Sequence, residues 1–310
     1  AYTSPAEEHI NTRSHVGLQD LSSMGQVDVK GPGAERLVNR LLVNDVRDLF
    51  PGQVRYSTMC DEDGRIIDDV TAYKFGDEHF MIVTSSAPRK RSFRWIADHA
   101  QGMSAYVTDL SGAVALLSVQ GPRSRDFLST LVEGMALEDL RFFRFAAAKL
   151  DGTEVILSRS GYTGELGYEV WCHPKHAPEV FEAIWAAGKD HGLTPMGLQA
   201  LDMLRIEAGL IFAGYDFSDQ TDPFEAGIGF TVPKSKEADF LGKAALARRR
   251  EHPMRKLVGL EVEGRDGVGH GVWIVAACNV QHVPAVGFEP LRHVLGESQV
   301  DRSRQGDAVG

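Results

Sequence analysis

Arg55-Tyr56-Ser57-Thr58-Met59-Cys60 and Arg65-Ile66-Ile67-Asp68-Asp69-Val70-Thr71-Ala72-Tyr73-Lys74-Phe75 stand on either side of Asp63-Gly64. Asp-Gly between two β-rich arms is a strong hairpin signal. Gly76-Asp77 then turns the chain into a third strand over 79–84. Asp151-Gly152 marks another hairpin, between 145–150 and 153–158. Helical patterns fall at 34–43, 88–99, 178–191 and 197–209. Tight hairpins and irregularly interleaved helices predict an α+β fold rather than a doubly wound parallel sheet.

Outward from the hairpin, one arrangement occurs twice. Val27 and Val29 lead into Gly31-Pro32 and a helix with Leu37, Leu41 and Leu42 on one face. Leu117 and Val119 lead into Gly121-Pro122 and a helix with Phe127, Leu128 and Leu131. Two strand–Gly-Pro–helix units about 90 residues apart suggest a pseudo-repeat.

The 310 residues are enough for two or three domains at roughly 100–200 residues each. A net charge of -10 argues against non-specific binding to nucleic acid or an anionic membrane. No apolar run reaches the ~18 residues of a membrane span, and the first residues lack the basic and apolar regions of a signal peptide. Cys60, Cys172 and Cys278 are scattered, without a Cys-x-x-Cys, so a reducing cytoplasm is the expected compartment. The 11 histidines form no paired metal motif, so no metal is expected.

Gly161-Tyr162-Thr163-Gly164-Glu165-Leu166-Gly167-Tyr168-Glu169 has three glycines at spacing three. The order is neither a dinucleotide fingerprint nor a phosphate loop. It allows close backbone approach to a flat ligand, and a carboxylate beside it could accept two N–H bonds from a pterin-like edge. The competing reading is a bulged hairpin with solvated glutamates. Asp45 follows a helix C-terminus, where its charge does not favour the helix, so it caps the next turn or is kept for chemistry. Asp68 and Asp69 are strand neighbours that point to opposite faces, which favours structural roles over a catalytic pair. Arg205 and Glu207 flank an apolar position on a helical run and could be merely exposed.

Together these segments resemble the T-protein (aminomethyltransferase) family of the glycine cleavage system. The ordered matches are 17–25, Leu41-Leu42-Val43-Asn44-Asp45-Val46, Asp63 to Asp69, Gln120-Gly121-Pro122, Ser160 to Glu169, Arg205 to Leu210 and Pro223-Phe224-Glu225-Ala226-Gly227, spanning about 7–263. The resemblance implies a three-domain, cloverleaf-like fold around a central tetrahydrofolate channel. It implies that Asp45 is the catalytic carboxylate, that Tyr56 packs on the folate, and that Glu169 holds the pterin edge with Tyr162 and Glu165 nearby. Arg205 would form the site wall or meet an anionic group. The implied reaction moves an aminomethyl or methyl group from a small donor to tetrahydrofolate. Alternatives are glycine cleavage on a lipoylated carrier protein and a folate-binding paralogue without catalysis.

The departures favour a paralogue over the glycine-cleavage enzyme. Ser23 stands where His is expected, Thr84-Ser85-Ser86-Ala87 where the family has Asn-Ala-Ala-Asn, and Leu201 where it has Arg. The expected domains are 1–233, with two interleaved subdomains and the inner one at about 50–140, then a linker over 234–254 and a C-terminal β domain over 255–310. That last part is atypical after 271, and the β-barrel is expected to be incomplete or aberrant. A reading-frame shift near Gly271 would account for the departure, and an uninterrupted native frame would refute it.

Overall fold

The computed structural model describes residues 1–258. The expected C-terminal β domain therefore lies almost wholly outside the described residues. What is described is α+β, built on two antiparallel-rich sheets. The first has seven strands: β1 (Val16–Asp20), β7 (Ala115–Gln120), β8 (Val132–Glu133), β9 (Phe145–Leu150), β10 (Thr153–Ser158), β11 (Gly167–Cys172) and β12 (Leu193–Pro195). The second has five: β2 (Gly25–Lys30), β3 (Gln53–Cys60), β4 (Ile66–Gly76), β5 (His79–Thr84) and β6 (Tyr106–Asp109). The helices are α1 (Pro5–Ser14), α2 (Ala34–Leu41), α3 (Arg89–His99), α4 (Ser124–Leu131), α5 (Ala177–Gly188), α6 (Leu198–Glu207) and α7 (Lys243–Glu251).

The pseudo-repeat is real and extends through both sheets. The five-stranded order is β3-β4-β5-β2-β6, and the larger sheet runs β9-β10-β11-β7-β1-β12 before its β8 edge is added beside β9. Matching β2 to β7 and β6 to β12 makes these the same order, with β1 inserted beside β7. Directions agree too. β6 is antiparallel to β2, and β12 is parallel to β1, which is antiparallel to β7. Helices α2 and α4 occupy equivalent places after Gly31 and Gly121, both at positive φ. A Cβ on Gly121 would lie 2.2 Å from the His15 carbonyl oxygen, so the turn into α4 requires glycine.

Period-two alternation explains how the units stack. In β5, Phe80 and Ile82 face α2 and α3 with Leu37, Val38, Leu41 and Ile96. Met81 and Val83 face the other sheet, joining Val54 and Tyr73 against Leu116, Phe145 and Trp171. The larger sheet mirrors this, with Leu117 and Val119 under α4 and α5. The result is helices, sheet, sheet, helices, with a core between each pair of layers. Each fully buried Leu or Phe contributes roughly 1.5–3 kcal/mol of burial.

The five-stranded sheet draws on residues from Gly25 to Asp109, with β2 paired to β5 over six residue pairs across a long sequence gap. Residues 234–254, expected as a linker, hold α7 and pack into the fold through the buried Leu241 and Leu246. Their Ala-, Lys- and Arg-rich composition suits a helix as well as a linker.

Candidate active site

The glycine-rich segment between β10 and β11 wraps around a side chain of the chain itself. A Cβ on Gly161 would sit 2.0 Å from Gln120 Oε1, and one on Gly167 would sit 2.1 Å from it. Gln120 is fully buried at the end of β7. Its Nε2 donates to the Ser160 carbonyl at 3.2 Å, and its Oε1 accepts from the Thr163 hydroxyl at 2.9 Å. The flat group that these two glycines admit is therefore the Gln120 amide. Gly164 has φ +80° and turns the loop against Ala208 of the α6 C-terminus.

The loop carries Tyr162 to the 211–212 turn and leads into β11, whose Glu169 reaches the other sheet. Glu169 Oε2 accepts from Ser160 Oγ at 2.7 Å and from Tyr73 OH at 3.1 Å. Tyr73 is on β4, so this bond crosses from sheet to sheet. Burial pushes the Glu169 carboxyl up, and the Ser160 and Tyr73 hydroxyls oppose that. Tyr162 donates to the Ile211 carbonyl and meets the Phe212 ring edge-on at 6.3 Å.

Tyr56, from β3, stacks against Phe230 at 6.2 Å and donates to Asp69 Oδ2 at 2.9 Å. Ser85 Oγ donates to Asp69 Oδ1 at 3.1 Å. Asp69 is pushed up by burial, against the pull of Tyr56 and Ser85. Its charge in turn helps hold the Tyr56 and Tyr162 hydroxyls protonated, burial being the larger cause in both. Asp68, on the opposite face, is also engaged. Its Oδ2 accepts from Ser92 Oγ at 2.7 Å and Ser85 N–H at 3.2 Å, while Oδ1 is buried without a partner.

Asp45 has Arg47 as its side-chain partner. Its Oδ1 accepts from Arg47 N–H and Nε at 3.0 Å each, and its Oδ2 from Nη2 at 2.6 Å. That hydrogen bonding to Arg47 lowers the carboxyl despite partial burial, which suits a turn brace better than a base. Glu165 is taken by Arg13 at 3.0 Å, and the same guanidinium reaches the Thr163 and Leu204 carbonyls and Glu207. Arg205 is 2% exposed. The anionic groups it meets are Asp202, at 2.8 Å, and Asp216, and it lies 5.5 Å from the Phe212 ring centroid. It locks α6 to the 210–216 turn. Tyr56 is thus tied to Asp69, Glu169 to Tyr73 and Ser160, Tyr162 to the 211–212 turn, Asp45 to Arg47, Glu165 to Arg13, and Arg205 to Asp202 and Asp216.

Four contributors were not singled out as site residues from sequence: Asp69, Tyr73, Ser85 and Lys236. Lys236 is 3% exposed and donates to the carbonyls of Asn39, Leu42 and Asn44 at 2.7, 2.7 and 2.9 Å, closing the C-terminal end of α2. Tyr73, between Ala72 and Lys74, Ser85, between Thr84 and Ser86, and Lys236 carried no distinguishing signal in the sequence. A separate cavity of about 760 Å³ opens beside Trp171, Ile156 and Ala147 and is lined by none of the predicted site residues. Among the described residues no cluster of His, Cys, Asp and Glu could hold a metal, and no helix is long and apolar enough to cross a membrane.

Residues 2–236 match the family described as the GCVT N-terminal domain. The chain belongs to that family. This GCVT-family chain is 47% identical over 277 residues to the trimethylamine-oxide aldolase of Ruegeria pomeroyi, covering 86% of this chain and 35% of that protein. It is 42% identical to an aminomethyltransferase of Halothermothrix orenii, covering 87% and 75%. The chain thus spans about a third of the first relative and three quarters of the second. The crystal structure of glycine cleavage system aminomethyltransferase T from Bartonella henselae superposes with a TM-score of 0.78 at 32% identity, over 84% of this chain and 71% of that one. The T-protein resemblance and the α+β fold both hold. The higher identity to a relative with another name fits the paralogue expectation.

Proposed function

We propose that this GCVT-family chain transfers a one-carbon group from a small methylated amine to tetrahydrofolate, with Asp69 rather than Asp45 as the catalytic carboxylate. The observation that carries the reading is the half-buried Tyr56–Asp69 pair on the face of β4 that also carries Tyr73, the donor to Glu169. Glu169 has both described hydrogen bonds on Oε2, which leaves Oε1 outside them. Its open Oε1 suits an N–H donor on the edge of a pterin. Tyr56, beside Asp69, and its neighbour Tyr162 supply aromatic walls. These residues fit the folate, whose ring nitrogen would accept the one-carbon unit.

In this reading Asp69 stabilises positive charge that develops at the accepting nitrogen and takes up the proton released there. Its raised basicity, unlike the lowered value at Asp45, suits that work. Tyr56 holds Asp69 Oδ2 in position. The relative named for an amine oxide supports a methylated amine as the donor class. The aminomethyltransferase relatives support a second reading, in which the donor is an aminomethyl group on a lipoylated carrier protein.

The test is a tetrahydrofolate binding titration together with a donor panel read by product mass. The panel holds trimethylamine N-oxide, other methylated amines and a lipoylated carrier. Asp69→Asn is expected to bind folate and lose turnover, while Asp45→Asn keeps both. Absence of folate binding by the unaltered protein would sink the reading. Turnover surviving Asp69→Asn but not Asp45→Asn would return the catalytic role to Asp45.

A further inference from the structure

Both acidic neighbours on β4 are tied to one residue. Ser85 follows β5 directly and opens the turn into α3. Its backbone N–H reaches Asp68 Oδ2 at 3.2 Å, and its hydroxyl reaches Asp69 Oδ1 at 3.1 Å. Ser92, inside α3, takes the same Asp68 oxygen at 2.7 Å. The turn is thus clamped from both faces of β4. Tyr56 holds the other oxygen of Asp69, so neither carboxylate oxygen can swing without breaking a bond.

We infer that Ser85 is a positioning residue for Asp69, fixing the direction of Oδ1 and setting how readily the carboxylate takes a proton. The titratable groups that interact with Asp69 are Tyr56 from β3, Tyr162 from the glycine-rich loop and, through the strand, Asp68 on the opposite face. None is a cation, and no described hydrogen bond or salt bridge joins Asp69 to one. Two hydroxyl donors, with Asp69's own backbone N–H, therefore favour its ionised form, and a hydrogen bond to the charged form lowers a carboxyl's proton affinity. Loss of the Ser85 hydroxyl removes one of the two while leaving the backbone bond to Asp68.

This inference rests on the reading of Asp69 as the catalytic carboxylate, but its test needs no donor. The titration midpoint of the Asp69 carboxyl is followed by carbon-13 NMR, its resonance assigned with Asp69→Asn. Ser85→Ala is expected to raise the midpoint by about one unit, and Ser85→Thr, which keeps a hydroxyl, to stay close to the unaltered protein. A denaturation midpoint for each variant excludes loss of fold as the cause. An unchanged Asp69 midpoint in a folded Ser85→Ala overturns the inference. Tetrahydrofolate binding, measured on the same samples, tests the one-carbon reading separately. A shifted midpoint without folate binding keeps the Ser85 role and removes that reading.

Discussion

The hydroxyl of Tyr73, on the five-stranded sheet, donates to Oε2 of Glu169, on the seven-stranded sheet, across 3.1 Å. Tyr73 is fully enclosed among Phe145 and Trp171, at ring distances of 5.2 and 5.5 Å, so its hydroxyl has little freedom to turn away. Glu169 is thereby positioned by the packing of both units. Glu169→Gln should weaken tetrahydrofolate binding by about 1.5–3 kcal/mol, tenfold or more, because a charged acceptor becomes neutral. Tyr73→Phe should weaken it less. Titration calorimetry checks the order, and equal affinity for Glu169→Gln and the unaltered protein would remove Glu169 from the site.

Gly161 and Gly167 enclose Gln120 from two sides, so a methyl group at either position collides with an amide that has nowhere to go. Gly161→Ala should cost about 1–3 kcal/mol, the usual penalty for overpacking. Gln120→Ala should be destabilising as well, since it empties the space and frees Thr163. The double variant should be more stable than the sum of the two losses allows. Strict additivity in urea denaturation would mean that the contact with Gln120 is not what demands glycine.

Lys236 reaches three carbonyls at the end of α2 from about 190 residues further along the chain. An ammonium there meets the negative end of the helix dipole and closes carbonyls that the helix leaves unpaired. It holds the same backbone from which Asn44 Nδ2 reaches the Tyr56 carbonyl at 3.2 Å. Lys236→Met should destabilise by about 2–4 kcal/mol through those orphaned carbonyls. Tyr56 fluorescence or folate affinity should report the disturbance before global unfolding. A variant as stable as the parent would show the carbonyls satisfied in another way.

Much of the architecture was legible in local pattern. The Asp63-Gly64 and Asp151-Gly152 turns announced their hairpins, and the two Gly-Pro turns announced the repeat. The site was harder because one bulge decides it. Cys60 pairs with Ile66, but Met59 pairs with Asp68, leaving Ile67 extra. Without that bulge Asp68 would share a face with Tyr56; with it, Asp69 does. Nothing in the composition of the strand marks Ile67 as the skipped residue. The Arg47 bond that occupies Asp45, and the α1 residue Arg13 that occupies Glu165, are likewise products of the fold.

The buried carboxyl of Asp68 gives a pH test of the clamp. Burial first, then the neighbouring Asp69 charge, push it from an ordinary 3.8 up to about 7. The folded chain therefore binds more protons than the unfolded chain between those two values, so this group favours folding in acid and that contribution is lost as pH rises through about 7. Asp68→Asn cannot ionise and lacks this dependence. The unaltered protein should lose stability relative to Asp68→Asn as pH is raised from about 4 to 8, by up to a few kcal/mol. Taking the difference between the two cancels the titration of every group that does not interact with Asp68; Asp69 does interact with it. Parallel stability curves over that range would mean that Asp68 ionises in the fold as easily as in the open chain, and that its partnerless Oδ1 finds a donor.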